Sequence, residues 1–179
     1  MTSPIFDLCD DYVTRSAALD PVGAAAEGID VEFAATSDYG PDGYAARADL
    51  IRRTLGRLSA LEPEGEADVR AAAHLRERLE AELAWHEIGE PLREVRAPFG
   101  LFTDLRDSVD LLPHETEDDW RNVAARLAGM PEMLGGWRAS LEEGSPRPDR
   151  GPPPGAGAGG AGRAVHDERH AREPDRFLR

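Results

Sequence analysis

Apolar residues recur at helical spacing in successive stretches of this 179-residue chain. No stretch shows the sustained two-residue alternation of a half-buried strand. Ser3-Pro4 announces the first helix, a capping hydroxyl followed by proline at the first helical position. Ile5, Phe6, Cys9, Tyr12, Val13 and Ala17 follow at helical intervals, and the Asp20-Pro21 step ends the pattern. The stretch through Gly28, Asp30 and Thr36 to Tyr39-Gly40-Pro41 reads as a loop. A second helix begins near Pro41-Asp42 and runs to about Leu61, with Tyr44, Ala48, Ile51, Leu55 and Leu58 as its stripe.

Pro63 and Gly65 separate it from the most regular segment of the chain. There Val69, Ala72, Ala73, Leu75, Leu79, Leu83 and Ile88 mark one face, and Arg76, Glu77, Arg78, Glu80 and Glu82 the other. Gly89 and Pro91 stop this third helix. Residues 98–113 form a shorter helix between two prolines, with Phe99, Leu101, Phe102, Leu105, Val109 and Leu112 as its bulk. Thr116 followed by Glu117, Asp118 and Asp119 is a helix start, since a capping hydroxyl and three acids suit the positive end of the helix dipole. Met130-Pro131 is expected to turn the chain, leaving Met133, Leu134, Trp137 and Leu141 on a last helix that ends at Gly144. The pattern predicts an all-α, bundle-like body over residues 1–144.

Beyond Gly144 the vocabulary changes. Residues 145–163 contain 5 Pro and 6 Gly and no large apolar side chain. Such a composition cannot recover the entropy of ordering, so 145–179 is expected to be a disordered tail. In its last stretch only Phe177 and Leu178 could anchor anything. A natural tail, a linker to a lost partner and a frameshift in GC-rich coding sequence all give this composition, and frameshift or truncation is favoured.

Charge narrows the functional classes. The net charge is -14, and every basic residue is Arg. The body carries 14 Arg against 30 acids and the tail 7 Arg against 5. An acidic body lacks the basic footprint that nucleic acid or anionic lipid requires. The single cysteine, Cys9, rules out an internal disulfide and a thiolate cluster, and it reads as a small core residue. No apolar run reaches membrane-spanning length, and the start lacks a secretion signal, so a cytoplasmic location is expected.

Candidate chemistry is sparse. His86-Glu87 lies in HEIGE, where Glu90 stands at the position that a zinc-binding HExxH gives to its second histidine. His166 and His170 in HDERH have the spacing of paired ligands, but Asp167 replaces the glutamate base and Pro174 cuts the segment short. His74 and His114 have no pattern partners. Asp104, Asp107 and Asp110, with Glu115 to Asp119, form an acidic patch that reads as a solvated face. Trp85, Trp120 and Trp137 read as core anchors. None of these is assigned as a catalytic, cofactor-binding or metal residue.

Longer phrases carry a family resemblance. FDLCDDYVTRSAALDPVGAAAEGI, SDYGPDGYAARADLIRRTL, HLRERLEAELAWHEIGEPLREV, PFGLFTDLRDSVDLLP and TEDDWRNVAARLAGMPEMLGGWRASLEEG occur in that order. Over residues 4–144 the chain resembles the actinobacterial branch of the domain-of-unknown-function family 885. The resemblance implies the amino-terminal helices of a longer, helical, carboxypeptidase-type zinc metallopeptidase whose HExxH lies far downstream. Zinc is thus implied for the full-length family, and no cofactor is assigned to this chain. The expected function is a catalytically incomplete fragment that packs against the missing catalytic region and walls one side of a substrate channel. The alternative is a stand-alone acidic helical module that binds another protein.

Overall fold

A computed structural model describes residues 3–145. The expected tail, with His166, Asp167 and His170, lies outside them apart from Ser145. Six α-helices and one 3-10 turn make up the regular structure of the described residues: α1 (Pro4–Leu19), α2 (Pro21–Ala26), α3 (Pro41–Leu58), α4 (Glu66–Glu87), the turn Glu90–Leu92, α5 (Leu101–Asp110) and α6 (Glu117–Gly144). The fold is all-α, as the periodicity requires.

At the start of α1 the Ser3 hydroxyl accepts from the Phe6 amide at 3.4 Å. It also donates to Asp68 at 2.7 Å, and the buried Asp68 accepts from the Glu64 amide at 3.0 Å. One carboxylate therefore ties the beginnings of α1 and α4 together. Two stripes compete on α1, and the inward one runs through Ile5 and Leu8, leaving Phe6 and Val13 exposed. Helices α1, α3 and α4 contact one another and bury Ile5, Leu8, Leu50, Ile51, Leu58 and Leu79. α3 also contacts α6 and so joins this three-helix unit to the rest.

The expected loop between residues 21 and 40 begins instead as a helix. Asp20-Pro21 stops α1 and starts α2: the Asp20 side chain accepts from the Gly23 amide at 3.1 Å, and Pro21 fills the first helical position. A helix-stopping pair that is also a capping pair is ambiguous in sequence, and here both roles are used. Gly28, at φ 77°, then takes the left-handed conformation that ends the turn.

Residues 29–40 form a strap across α6. The Ser140 hydroxyl donates to the Tyr39 carbonyl at 2.8 Å and Arg126 donates to the Phe33 carbonyl at 2.8 Å. The approach is close because α6 presents glycines to it. A Cβ on Gly136 would lie 2.9 Å from the Gly40 nitrogen, and one on Gly129 would lie 2.3 Å from the Thr36 methyl. From α3, Gly43 grips the same strap: its Cβ would meet the Asp38 carbonyl oxygen at 2.2 Å.

The turn expected at Met130-Pro131 does not occur. α6 continues through Pro131 for 28 residues. Proline removes one intrahelical hydrogen bond and crowds the preceding turn. What offsets this is a seam at alternating spacings of three and four residues, Arg126, Gly129, Met133, Gly136 and Ser140. It lies against the strap on both sides of the proline. Thr116 and Asp119 close a full capping box at the helix start. A core of Val22, Tyr39, Leu105 and Met133, with Leu101, Met130, Leu134 and Trp137 around it, joins α2, the strap, α5 and α6.

Candidate functional site

The densest polar cluster lies where α1, α2 and the strap meet. The Asp20 carboxylate accepts from the Ser37 hydroxyl at 2.5 Å and the Tyr39 hydroxyl at 3.2 Å, besides its capping bond. The Ser37 oxygen in turn accepts from the Val22 amide at 3.1 Å. The Arg47 guanidinium, from α3, lies 5.3 Å from the Tyr39 ring centre and 5.1 Å from that of Tyr44. It donates to the carbonyls of Asp38, at 2.8 Å, and Leu19, at 3.4 Å. Burial, reinforced by the Asp20 charge, raises the Tyr39 pKa above its ordinary value, so the phenol stays a donor. Ser37 and Tyr39 thus spend their protons on Asp20. The cluster is a hydrogen-bond hub with no free nucleophile or base.

Beside the hub lies a groove of about 350 Å³, walled by Tyr12 of α1, Arg47 of α3 and Leu79 and Glu82 of α4. Burial raises the Glu82 pKa, and burial followed by the Glu82 charge pushes Tyr12 up to about 12. Tyr12 and Glu82 hydrogen-bond to each other at the groove wall.

Arg126 is the other electrostatic anomaly. It is 0% exposed, and its Nε and Nη1 find no acceptor among the described residues. Burial lowers its pKa, while Tyr39 and Asp20 support its charge. Nothing in the chain's hydropathy marks position 126 as internal. The visible signal is its place three residues before Gly129 and seven before Met133, on the small-residue seam.

HEIGE is not presented on a continuous helix. α4 ends at Glu87, and Gly89 adopts φ 71°, so Glu90 lies in the 3-10 turn and not one helical turn beyond His86. Glu90 faces Arg93 at 3.6 Å. The His86 ring lies 6.2 Å from that of Tyr44 and 5.8 Å from that of Trp85, in a small groove shared with Arg52 and Glu143. Among the described residues no three His, Cys, Asp or Glu side chains converge as ligands. His74 is exposed on α4, and the His114 ring meets the Trp120 ring edge-on at 6.2 Å.

Four acids of the patch are engaged locally. Asp107 pairs with Arg106, Glu117 and Asp118 pair with Arg121, and Asp119 caps α6. Trp137 packs at the core, Trp85 is half-buried, and Trp120 is 58% exposed, so the core role expected for all three tryptophans fails at Trp120. Cys9 is half-buried on α1, and burial raises its thiol pKa.

The broadest unspent feature is apolar. Phe99, Phe102, Leu111, Trp120 and Leu127 are all at least half exposed on or beside α5 and α6. Between these helices runs a groove of about 340 Å³ lined by Phe102, Leu105, Val109, Leu127, Met130 and Leu134. No helix of the described residues is long and apolar enough to cross a membrane.

Comparison with known proteins adds one match. The model of a family described as "Bacterial protein of unknown function (DUF885)" matches residues 21–155. The match begins at α2 and runs past the end of α6. No curated protein matches the chain.

Proposed function

Because the chain belongs to the DUF885 family, we propose that it is the non-catalytic helical portion of a carboxypeptidase-type zinc metallopeptidase. The observation that carries this reading is the exposed apolar surface from Phe99 to Leu127. Phe102 and Leu127 border the same apolar groove, and exposed apolar surface of this kind marks interaction sites. In this reading further helices, carrying HExxH, cover that surface and supply the metal chemistry, while this portion supplies packing and one wall of the substrate channel. Zinc belongs to those helices.

Two measurements test it. The purified chain should show neither stoichiometric zinc nor peptidase activity. Sequencing the gene through and beyond the codon for Gly144 should reveal, in some frame, a helical region with HExxH. A short intact gene with no such remnant would overturn the proposal. It would favour a stand-alone acidic interaction module, particularly if the chain alone is monodisperse and unfolds cooperatively.

A further inference from the structure

The strap over α6 has two unequal halves. In the second half Ser37, Tyr39 and Gly40 are buried. The Asp20 hub, Arg47 on the Asp38 carbonyl and Ser140 on the Tyr39 carbonyl all pin it. In the first half no residue from 30 to 36 is buried. Its hydrogen bonds among the described residues are two. The Ala35 amide donates to the Glu32 carbonyl at 2.9 Å, inside the segment, and Arg126 donates to the Phe33 carbonyl at 2.8 Å. Only the second bond ties the segment to the helices, beside the Thr36 methyl packed over Gly129.

The donor of that bond is poorly satisfied. Arg126 is 0% exposed, and its Nε and Nη1 have no acceptor among the described residues. Asp20 supports the charge through space, but its carboxylate accepts from Gly23, Ser37 and Tyr39. A buried charge with unpaired donors destabilises its own cover, because water would satisfy those donors. The ends of the segment allow it to swing. Gly28 is left-handed at φ 77°, and a Cβ there would meet nothing within 4 Å, so the chain turns in open space. At the other end the hub fixes Ser37.

We propose that residues 30–36 are a lid that opens while the helices stay folded, pivoting between Gly28 and Ser37. Arg126 is at once its latch and its spring. The closed lid gains one hydrogen bond, and the open lid lets water reach the two unpaired donors. Opening turns an internal arginine into a surface cation and bares the α6 seam at Gly129. This device is separate from the role proposed above.

The test uses the full chain below its urea transition. Phenylglyoxal modification of Arg126, followed by peptide mass spectrometry, reads how often the buried guanidinium meets solvent. A short lid exposes little surface on opening, so the rate should change less than about twofold per molar urea. Exposure by global unfolding would raise it about tenfold or more per molar. The second readout is the sign of a substitution. Arg126→Met loses the latch bond but removes the buried charge, and apolar volume in place of buried charge often stabilises. Chymotrypsin cleavage after Phe33 in the folded chain should therefore slow at least about threefold. If Arg126 were only a tie for the strap, the same substitution would speed cleavage. The lid is overturned by any of three results: no labelling in the folded chain, labelling that climbs with urea as global unfolding does, or cleavage unchanged or faster in Arg126→Met. Neither readout involves zinc, peptidase activity or the downstream gene.

Discussion

The two longest helices differ in a way that their sequences reverse. α4 has 22 residues, no interruption and charges of both signs along its outer flank. It nevertheless fully buries only Asp68 and Leu79, and Val69 and Ile88 of its apparent stripe are more than half exposed. α6 contains a proline and four glycines, counting Gly144, and looks broken. It buries Val123, Arg126, Met133 and Ser140 and carries the strap. A regular stripe reports that a helix can bury a face. Which helix is central depends on what crosses it, and small residues let backbone cross closely.

The largest effects should come from the deepest apolar contact on each helix. Leu79 and Met133 are each 1% exposed, and truncation of either to alanine should cost about 2–5 kcal/mol. The two losses should differ in kind. Met133 lies in the core that joins α2, the strap, α5 and α6, so Met133→Ala should lower the global unfolding midpoint. α4 has little else buried, so Leu79→Ala should also raise hydrogen exchange along α4 before global unfolding. Uniform exchange across both helices in Leu79→Ala would show that α4 is held by more than this contact.

Adjacent glycines on α6 offer a finer test. A Cβ on Gly135 meets nothing within 4 Å, whereas one on Gly136 presses on the strap backbone. Gly135→Ala should stabilise by about 0.5–1 kcal/mol through helix propensity. Gly136→Ala gains the same propensity but must displace backbone, and should lose about 1–3 kcal/mol. Opposite signs at neighbouring positions, read from urea midpoints, would confirm that α6 is a seam. The same sign at both would mean that the strap yields easily.

These pairs also show what could be read from the chain. Helix periodicity and the capping residues Ser3 and Thr116 placed most helices to within a few residues, because they act locally. Asp20-Pro21 misled because one dipeptide can stop one helix and start the next. Met130-Pro131 misled because the compensation for proline is tertiary, spread over the seam and the strap. HEIGE's departure from HExxH was legible in Glu90, and the structure adds a left-handed Gly89 that takes Glu90 off the helix. The polar hub could not have been assembled from sequence. Asp20, Ser37, Tyr39 and Arg47 are joined by the strap's path, which no periodicity encodes.

The smallest predicted effect lies where the two helices come near each other. His86 in the last turn of α4 shares a groove with Glu143 of α6, with Tyr44 and Arg52 of α3, and with Pro91 of the 3-10 turn. Its pKa is lowered, first by burial and then by the Arg47 and Arg52 charges. Glu143 in the same groove does not reverse that direction. The ordinary value is 6.5, so on acidification the unfolded chain takes up this proton before the folded one. The contribution is therefore complete above the ordinary value and is lost as pH falls through 6.5 toward the lower folded value. Depressed carboxylates such as Asp11 and Asp119 act further down, starting from an ordinary value of 3.8. Urea midpoints at pH about 7.5 and about 5.5 should thus fall for the native chain, and His86→Gln should flatten the fall. An equal fall in both would mean that His86 takes its proton as easily in the fold as in water, and that the α4–α6 junction is open to solvent.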